Sequence, residues 1–368
     1  MIKQIYEQVY DHIEADVHQR APGEPLPSEV QYSLQLAVSR LTVRKAVDEL
    51  VRQGLVTRVA GKGLMVSQTP ETRKLGRLLI SCICIPGDSD LFRCVLGCMD
   101  AAGRYRYDYK LLNFPTAAEQ YRAVLAEDLT AYDGAAITCF DSEAEQCTLN
   151  LIKRAGLPVV ILGNEHEGFP AIMSDDYNGG YLIGDDLCKH GHRDILYLTT
   201  DRRMADVPRK YAGFAQALRD NGIEHDPDLV LTIPDPGVPL FTGAGSLRPL
   251  PFAAEKYLEG KIPFTALTGH STLPILSFCR QLSLRGVRIP QDVSVAAYGD
   301  QPYLPWDNLP LTGILEAKYE MGMEAVAQLH AYLSGASEEI RSRIVPVRYM
   351  HYASIATLES FADHVNET

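Results

Sequence analysis

The sequence predicts a two-part α/β protein, in which a small helical unit precedes a larger domain of doubly wound parallel sheets. Two observations carry this prediction: helix and hairpin patterns within residues 1–68, and strand–helix alternation from residue 77 onward. The composition, 46% hydrophobic and 22% charged over 368 residues, is that of a globular protein with a large core. No apolar run approaches the roughly 18 residues of a membrane span, and the amino terminus lacks a signal-peptide core, so we expect a cytoplasmic protein.

The charge differs between the two parts of the chain. The net charge of −12 argues against a nucleic-acid partner when it is taken over the whole sequence. Residues 1–70, however, carry eight basic and eight acidic residues, so the whole excess of acid falls on residues 71–368. Residues 40–62 hold two acidic residues against six basic ones, which are Arg40, Arg44, Lys45, Arg52, Arg58 and Lys62.

Apolar spacing and capping residues predict three helices in the first part. Apolar side chains recur at every fourth position in the first helix, and the second begins at Ser28, with Gln31 placed to complete a capping box. The third begins at Ser39, and its inward apolar stripe leaves the basic residues near its start on other faces. That stripe consists of Val43, Ala46, Val47 and Leu50.

A short hairpin is predicted after the third helix. The helix stops at Gly54, and the apolar segments 55–59 and 64–66 flank the small, cationic tip Ala60-Gly61-Lys62-Gly63. Two short helices with basic residues at the start of the second describe a helix-turn-helix, and such a tip can enter a minor groove or lie on phosphates. The alternative is a helical interaction module with solvated arginines.

These residues resemble the GntR-type winged helix-turn-helix. The matching segments are LPSE (26–29), VSRLTVRKAVDEL (38–50), Gly54 and GKG (61–63). The family pattern has Arg after the LPSE glutamate, where this chain has Val30, so one expected DNA contact is missing. The resemblance implies that the DNA-binding residues are Ser39, Arg40, Thr42 and Arg44, with the neighbouring Lys45, and Gly61 and Lys62 in the wing.

The second part begins after a linker. Residues 69–76 lack apolar periodicity and contain Pro70, so we place the domain boundaries at 1–68, 77–360 and a tail at 361–368. Strands are predicted at LLISCICI, YKLLNF, GAAITCF and PVVILG, and then at DILYLTT, LVLTI, FTALTG and VSVAAYG. The helices between them are predicted over 92–103, 117–131, 143–155, 208–221 and 272–285. Two such series suit a two-lobed domain with a ligand cleft at the carboxyl ends of the strands.

This part resembles the effector-binding domain of the LacI/GalR class, which shares its fold with type I periplasmic binding proteins. The matching segments are SDDYNGGYLIGDDLCKHGHRDILYL (174–198), AGFAQALRDNGI (212–223), RGVRIPQDVSVAAYGD (285–300) and LPLTGILEAKYEMGMEAV (309–326). The family topology implies one lobe of about 77–178 and 307–335, and another of about 180–305 and 337–360. The whole chain resembles arabinose-repressor-type GntR/LacI hybrids. This implies a homodimeric, ligand-responsive regulator, expected to be a repressor of a carbohydrate-utilisation operon, that binds operator DNA.

The expected effector cleft departs from its sugar-binding relatives at three places. Lys210, beside Arg209, stands where they have Arg, Ser271-Thr272 stands where they have an Asn-Asp pair, and the last residue of the Gly-Tyr-Asp motif falls on Gly299, before Asp300. The cationic donors at 209 and 210 and the acceptor Asp300 can still bind hydroxyl groups, but the loss of the Asn-Asp pair and of an Asp at 299 removes acceptors. We therefore expect a sugar or sugar derivative, acidic or modified rather than a neutral hexose. Further candidates at strand ends are Phe92, Phe140, Asp141, Asn164, Tyr303 and Trp306.

Other chemistry is not supported by the sequence. The eight cysteines include no CxxC pair and are interpreted as buried thiols, and His190-Gly191-His192 as a helix-end turn rather than a metal site. No hydrolase, metalloprotease or kinase motif occurs, so we expect neither catalysis nor a cofactor. The alternative function is a small-molecule sensor whose amino-terminal head binds a protein instead of DNA.

Overall fold

We describe the protein from a computed structural model. The described residues are 5–67, 75–83, 89–139, 143–200, 206–233, 241–242, 246–247, 255–299, 303–304 and 309–358. They form two compact units, one built on the residues before Arg77 and one built on the sheets that follow. None of the helices found among them combines the length and the apolar character that a membrane crossing requires.

The first unit, here called the head, consists of three helices and a two-stranded wing. The helices are α1 (Ile5–His18), α2 (Glu29–Gln35) and α3 (Arg40–Arg52), and the wing strands are β1 (Val56–Val59) and β2 (Gly63–Val66). The predicted capping box is confirmed, because the Gln31 amide donates to Ser28 Oγ and the Gln31 side chain accepts from the Ser28 amide. The inward stripe of α3 is completely buried against α1.

The second unit contains two six-stranded sheets. In the first sheet the strand order is β17-β7-β6-β5-β3-β4, and neighbouring strands from β17 to β3 are parallel. Its strands are β3 (Gly76–Ile83), β4 (Tyr107–Phe114), β5 (Gly134–Cys139), β6 (Val159–Gly163), β7 (Ala171–Ser174) and β17 (Arg343–Val345). The helices that follow or cover these strands are α4 (Ser89–Arg104), α5 (Ala117–Leu125), α6 (Glu143–Arg154) and α11 (Lys318–Leu333).

In the second sheet the strand order is β18-β16-β13-β12-β8-β9, parallel except for the β16–β18 pair. Its strands are β8 (Ile195–Thr200), β9 (Val230–Ile233), β12 (Ala266–Gly269), β13 (Ser294–Tyr298), β16 (Thr312–Leu315) and β18 (Arg348–Met350). The helices are α7 (Asp176–Lys189), α8 (Asp206–Asp220), α9 (Glu255–Leu258) and α10 (Thr272–Leu284). Two short hairpins pair β10 (Phe241–Thr242) with β11 (Ser246–Leu247) and β14 (Tyr303–Leu304) with β15 (Leu309–Pro310).

Two strands differ from the lobe ranges implied by the resemblance. The strand β16 falls in the range 307–335, implied for the first lobe, but belongs to the second sheet. The strand β17 falls in the range 337–360, implied for the second lobe, but belongs to the first sheet. The reason is that the chain passes between the sheets immediately before α11 and again between β17 and β18. The predicted helix 117–131 is also too long. It ends at Leu125, and Asp128 caps a separate 3-10 turn by accepting from the Thr130 amide.

The helices α7 and α8 approach each other at their backbones. A Cβ added to Gly180 would lie 1.9 Å from the carbonyl oxygen of Lys210, and one added to Gly213 would lie 1.9 Å from that of Tyr177. These distances leave room for no side chain larger than hydrogen, so glycine at both positions permits the contact. This close packing fixes where α8 holds Arg209 and Lys210.

Candidate functional site

The start of α3 presents the residues that the GntR resemblance singled out. Ser39 caps the helix, because its Oγ accepts from the Thr42 amide at 3.1 Å and lies 2.8 Å from Thr42 Oγ1. Arg40, Arg44 and Lys45 are exposed, whereas the apolar stripe of the same helix is buried. The cap therefore orients the first turn so that its cations face away from the core.

The six basic residues of segment 40–62 divide into two groups. Arg52 is paired with Glu49 at 2.6 Å, and Arg58 is paired with Glu29 at 2.8 Å and Asp48 at 2.6 Å. The other four form no ion pair within the described part of the chain. We call them the basic surface, which consists of Arg40, Arg44, Lys45 and Lys62. Only the four residues of the basic surface, and not all six, therefore offer an unpaired positive charge to a partner within the described part of the chain.

The wing has the tip that the sequence predicted. Gly61 and Gly63 adopt positive φ angles of 78° and 84°, a conformation that favours glycine, and the Lys62 amide donates to the Val59 carbonyl at 3.0 Å. The residues Gly61 and Lys62 are exposed. The tip thus presents one cation on a narrow turn that is small enough to approach a nucleic-acid backbone.

The second unit holds a group of buried and half-buried charges, here called the charge cluster, which consists of Asp176, Asp206, Lys210, Glu316 and Lys318. The Nζ of Lys210 lies 3.0 Å from Asp206, 3.7 Å from Glu316 and 4.0 Å from Asp176. A second lysine, Lys318, lies 3.0 Å from Glu316. The Lys210 ammonium also lies 4.3 Å from the centre of the Tyr298 ring, in a cation–π arrangement. The carboxylates of Asp176, Asp206 and Glu316 therefore already neutralise the charge of the Lys210 ammonium.

The pKa values follow from this burial and pairing. Burial alone would lower the pKa of Lys210, but Glu316, Asp206 and Asp176 outweigh it and hold that pKa well above its ordinary value. Burial likewise opposes ionisation of Asp206, yet Lys210 and Lys318 lower its pKa to about 2. At Asp176 the balance is reversed, because burial and Glu316 raise the pKa to about 6 against the effect of Lys210.

Arg209 connects this cluster to the first sheet. One of its Nη2 hydrogen bonds reaches Asp176 Oδ2 and the other reaches the amide oxygen of Asn164, each at 3.1 Å. Asn164 directly follows β6, and it is buried. The structure therefore brings together three of the residues predicted for the effector cleft, which are Asn164, Arg209 and Lys210.

The other predicted cleft residues lie in different situations. Ser271 is the residue before α10, and Thr272 is buried with no hydrogen bond from its hydroxyl within the described residues. Both residues follow His270, whose carbonyl accepts a hydrogen bond from the Lys210 ammonium at 3.4 Å. Phe92 lies elsewhere, exposed on α4. Phe140, Asp141, Asp300, Trp306 and the side chain of Tyr303 lie outside the part of the structure that is described.

Three members of the charge cluster, Asp176, Glu316 and Lys318, were not among the residues predicted from the sequence. A usable signal was present, since Asp176 begins α7 just after β7, and Glu316 follows β16 directly. A charged residue next to a fully buried strand is an unusual position, which marks it as paired or functional. Asp176 and Glu316 occupy the positions where the chain passes from one sheet to the other.

The described cysteines and histidines bear on the metal-site alternative. The seven described cysteines are free thiols, and no group of three or more His, Cys, Asp or Glu side chains in these residues could hold a metal ion. His192 Nδ1 lies 2.9 Å from Thr265 Oγ1, and its Nε2 lies 3.0 Å from the Ala356 carbonyl. His190 lies 2.8 Å from the Asp186 carbonyl. Both imidazoles thus form hydrogen bonds within the second unit.

Comparison with protein families agrees with this two-part organisation. Residues 5–66 match the model of bacterial regulatory proteins of the gntR family, and residues 185–355 match that of the periplasmic binding protein-like domain. The chain therefore carries a GntR-type helix-turn-helix domain at its amino terminus and a periplasmic-binding-protein-like domain after it.

Individual relatives carry names of regulators. The chain is 26% identical over 318 residues to an arabinose metabolism transcriptional repressor of Halalkalibacterium halodurans, covering 83% of this chain and 82% of the relative. It is 28% identical over 247 residues to the HTH-type transcriptional repressor PurR of Aliivibrio fischeri, covering 64% of this chain and 69% of the relative. The crystal structure of a LacI family regulator from Enterococcus faecium with bound ribose matches with a TM-score of 0.60 and 22% identity, covering 77% of this chain and 99% of that one.

The two family matches define a class of protein in which a GntR-type helix-turn-helix domain precedes a periplasmic-binding-protein-like domain. The chain is a ligand-responsive DNA-binding transcription regulator.

Proposed function

We propose that this regulator is a cytoplasmic repressor of a carbohydrate-utilisation operon and acts as a homodimer. Two copies of the head would place two α3 helices in successive major grooves of a pseudo-palindromic operator. A sugar or sugar derivative bound between the two sheets of the second unit would change the operator affinity. That change requires the effector to bind the two states of the dimer with different affinities. The protein acts by binding and not by catalysis.

The basic surface is the observation that carries the DNA-binding proposal. Arg40, Arg44 and Lys45 are exposed on a capped helix and Lys62 on a narrow turn, with no carboxylate pairing them among the described residues. Arg52 and Arg58, in the same segment, are paired. A chain with a net charge of −12 that keeps unpaired cations on one small unit is suited to a polyanionic partner there.

The charge cluster bears on the class of effector. The expectation of an acidic or modified sugar counted Arg209 and Lys210 as available donors in a site that had lost acceptors, but both already contact carboxylates. A carboxylate ligand would therefore find no unpaired cation at these two residues. We infer a neutral, hydroxyl-rich effector, which Asn164, Arg209 and Thr272 could hydrogen-bond. One relative is named for arabinose metabolism, and a different protein of similar fold was crystallised with ribose. Both names support a neutral sugar as the class of effector.

The test is a binding titration of the full-length protein with duplexes that tile the region upstream of its own gene. We expect one duplex to bind far more tightly than the others, with an affinity that falls steeply as the salt concentration rises. Neutral sugars, sugar acids, amino sugars, nucleobases and amino acids are then added one at a time. A neutral sugar that alters binding supports the proposal, whereas binding to no duplex at any salt concentration favours a head that binds protein.

A further inference from the structure

The first turn of α3 carries an aliphatic side chain that the head does not bury. Leu41 is 65% exposed, although it lies two residues before Val43, which is completely buried. It is the second residue of α3 and follows Arg40 directly. The core of the head is complete without it, since the inward stripe of α3 already fills the contact with α1.

An exposed leucine alone indicates little, because folded proteins expose many apolar atoms. The neighbours of Leu41 give it significance. It is flanked by Arg40 and lies one helical turn before Lys45, and Arg44 is exposed on the same helix. These three cations form no ion pair with any residue that the structure describes. Whatever polyanion they attract will also cover Leu41.

The chemistry of the DNA major groove restricts what an aliphatic side chain can recognise there. Base edges in that groove present hydrogen-bond donors and acceptors, and the one apolar group among them is the C5-methyl group of thymine. The first residues of a recognition helix are the ones that reach base edges. We propose that Leu41 contacts a thymine methyl group and so specifies a T·A pair in each half-site. This inference rests on the proposed role of α3 as the recognition helix.

The chain offers a matched control on the preceding helix. Leu34 of α2 is 77% exposed, so replacing it removes the same side chain from a similarly open position. It lies at the end of α2, outside the first turn of α3. Both Leu41→Ala and Leu34→Ala are expected to fold, because neither side chain is part of the core, and thermal unfolding of both variants verifies this.

The experiment removes the methyl group from the DNA as well as the side chain from the protein. The preferred duplex is first selected from a randomised pool with the full-length wild-type protein. Each thymine is then replaced singly by deoxyuridine, which lacks only the methyl group. We expect one replacement in each half-site to weaken wild-type binding about fourfold, the factor that corresponds to burial of one methyl group. The Leu41→Ala variant should bind the thymine and deoxyuridine duplexes equally, and Leu34→Ala should still discriminate between them.

Three results would overturn the proposal. One is that no deoxyuridine replacement weakens wild-type binding. Another is that Leu41→Ala keeps the full discrimination, because some other side chain would then contact the methyl group. If the wild-type protein selects no duplex at all, the recognition-helix assignment fails together with this proposal. The first two results leave DNA binding intact, so the two failures are distinguishable.

Discussion

The guanidinium of Arg58 on β1 donates to the Glu29 carboxylate at the start of α2, over a distance of 2.8 Å. The same guanidinium contacts Asp48 of α3 at 2.6 Å. One side chain of the wing is therefore bound to both helices of the helix-turn-helix. This arrangement makes Arg58 a positioning residue, which orients the wing relative to α3 and leaves DNA contact to other cations.

Replacing Arg58 should therefore affect stability rather than the number of phosphate contacts. We expect Arg58→Gln to lower the free energy of unfolding of the head by roughly 0–1 kcal/mol for each of the two partly exposed ion pairs. The slope of DNA affinity against salt concentration should stay at the wild-type value. Salt titrations of both proteins measure that slope, and a decrease of about one would mean that Arg58 contacts a phosphate after all.

Arg40 and Arg44 should behave differently from Arg58. We expect Arg40→Ala and Arg44→Ala each to weaken operator binding by about 1–3 kcal/mol if a base contact is lost, or to reduce the salt slope by about one if a phosphate contact is lost. The control is Arg52→Ala on the same helix, which removes a cation already paired with Glu49 and should bind almost normally. Wild-type affinity and salt slope in both test variants would refute the assignment of the recognition helix.

The backbone contact between α7 and α8 should tolerate no added methyl group. Gly180→Ala and Gly213→Ala would each place Cβ against a carbonyl oxygen at 1.9 Å, so the helices must separate. We expect each to destabilise the protein by about 1–3 kcal/mol or more. Gly103→Ala is the control, since this helical glycine has no atom within 4 Å of an added Cβ and should gain about 0.4–1 kcal/mol. Thermal unfolding distinguishes these expectations, and unchanged stability in both α7 and α8 variants would contradict the packing.

Asp176 should contribute a characteristic pH dependence to stability. Burial raises its pKa from an ordinary value of 3.8 to about 6, so the folded state binds more protons than the unfolded state between these values. The Asp176 contribution to stability is therefore greatest at low pH and is lost as the pH rises from about 4 to about 6.

The variant Asp176→Asn isolates this contribution. His270, whose pKa burial and Lys210 lower to about 4, contributes the opposite trend over an overlapping range in both proteins. Because the His270 contribution is the same in both proteins, it cancels when the unfolding free energy of the variant is subtracted from that of the wild type. We expect the wild type to lose stability relative to the variant as the pH rises from 4 to 6. A difference that stays constant over this range would mean that folding does not raise the pKa of Asp176.

Most of the fold could be predicted from the sequence because the signals are local. Ser28 with Gln31 and Ser39 define helix starts by hydrogen bonds within one turn, and the buried strands of the second unit are predominantly apolar. The helix predicted over 117–131 failed at its end, where the side chain of Asp128 caps a new turn. The lobe implied for the residues of β16 was wrong, because it depends on where the chain passes from one sheet to the other, and no local sequence pattern indicates that point.

The sites were harder to predict, since pairing between distant residues decides their chemistry. Segment 40–62 contains six cations, and nothing within it shows that Arg58 is paired, because its partner Glu29 lies 29 residues earlier in the chain. Lys210 was interpreted as a free donor, although Glu316, more than a hundred residues later, lies 3.7 Å from its ammonium.

Ligand-responsive operator binding is tested most directly by the affinity of the full-length protein for its selected duplex. This affinity is measured with and without the sugar that alters it, and the Arg40→Ala variant is measured beside the wild type. We predict specific binding at about 10⁻⁸–10⁻¹¹ M that weakens in the variant and changes on addition of the sugar. Equal affinity for the selected and scrambled duplexes, unaffected by any ligand, would contradict it.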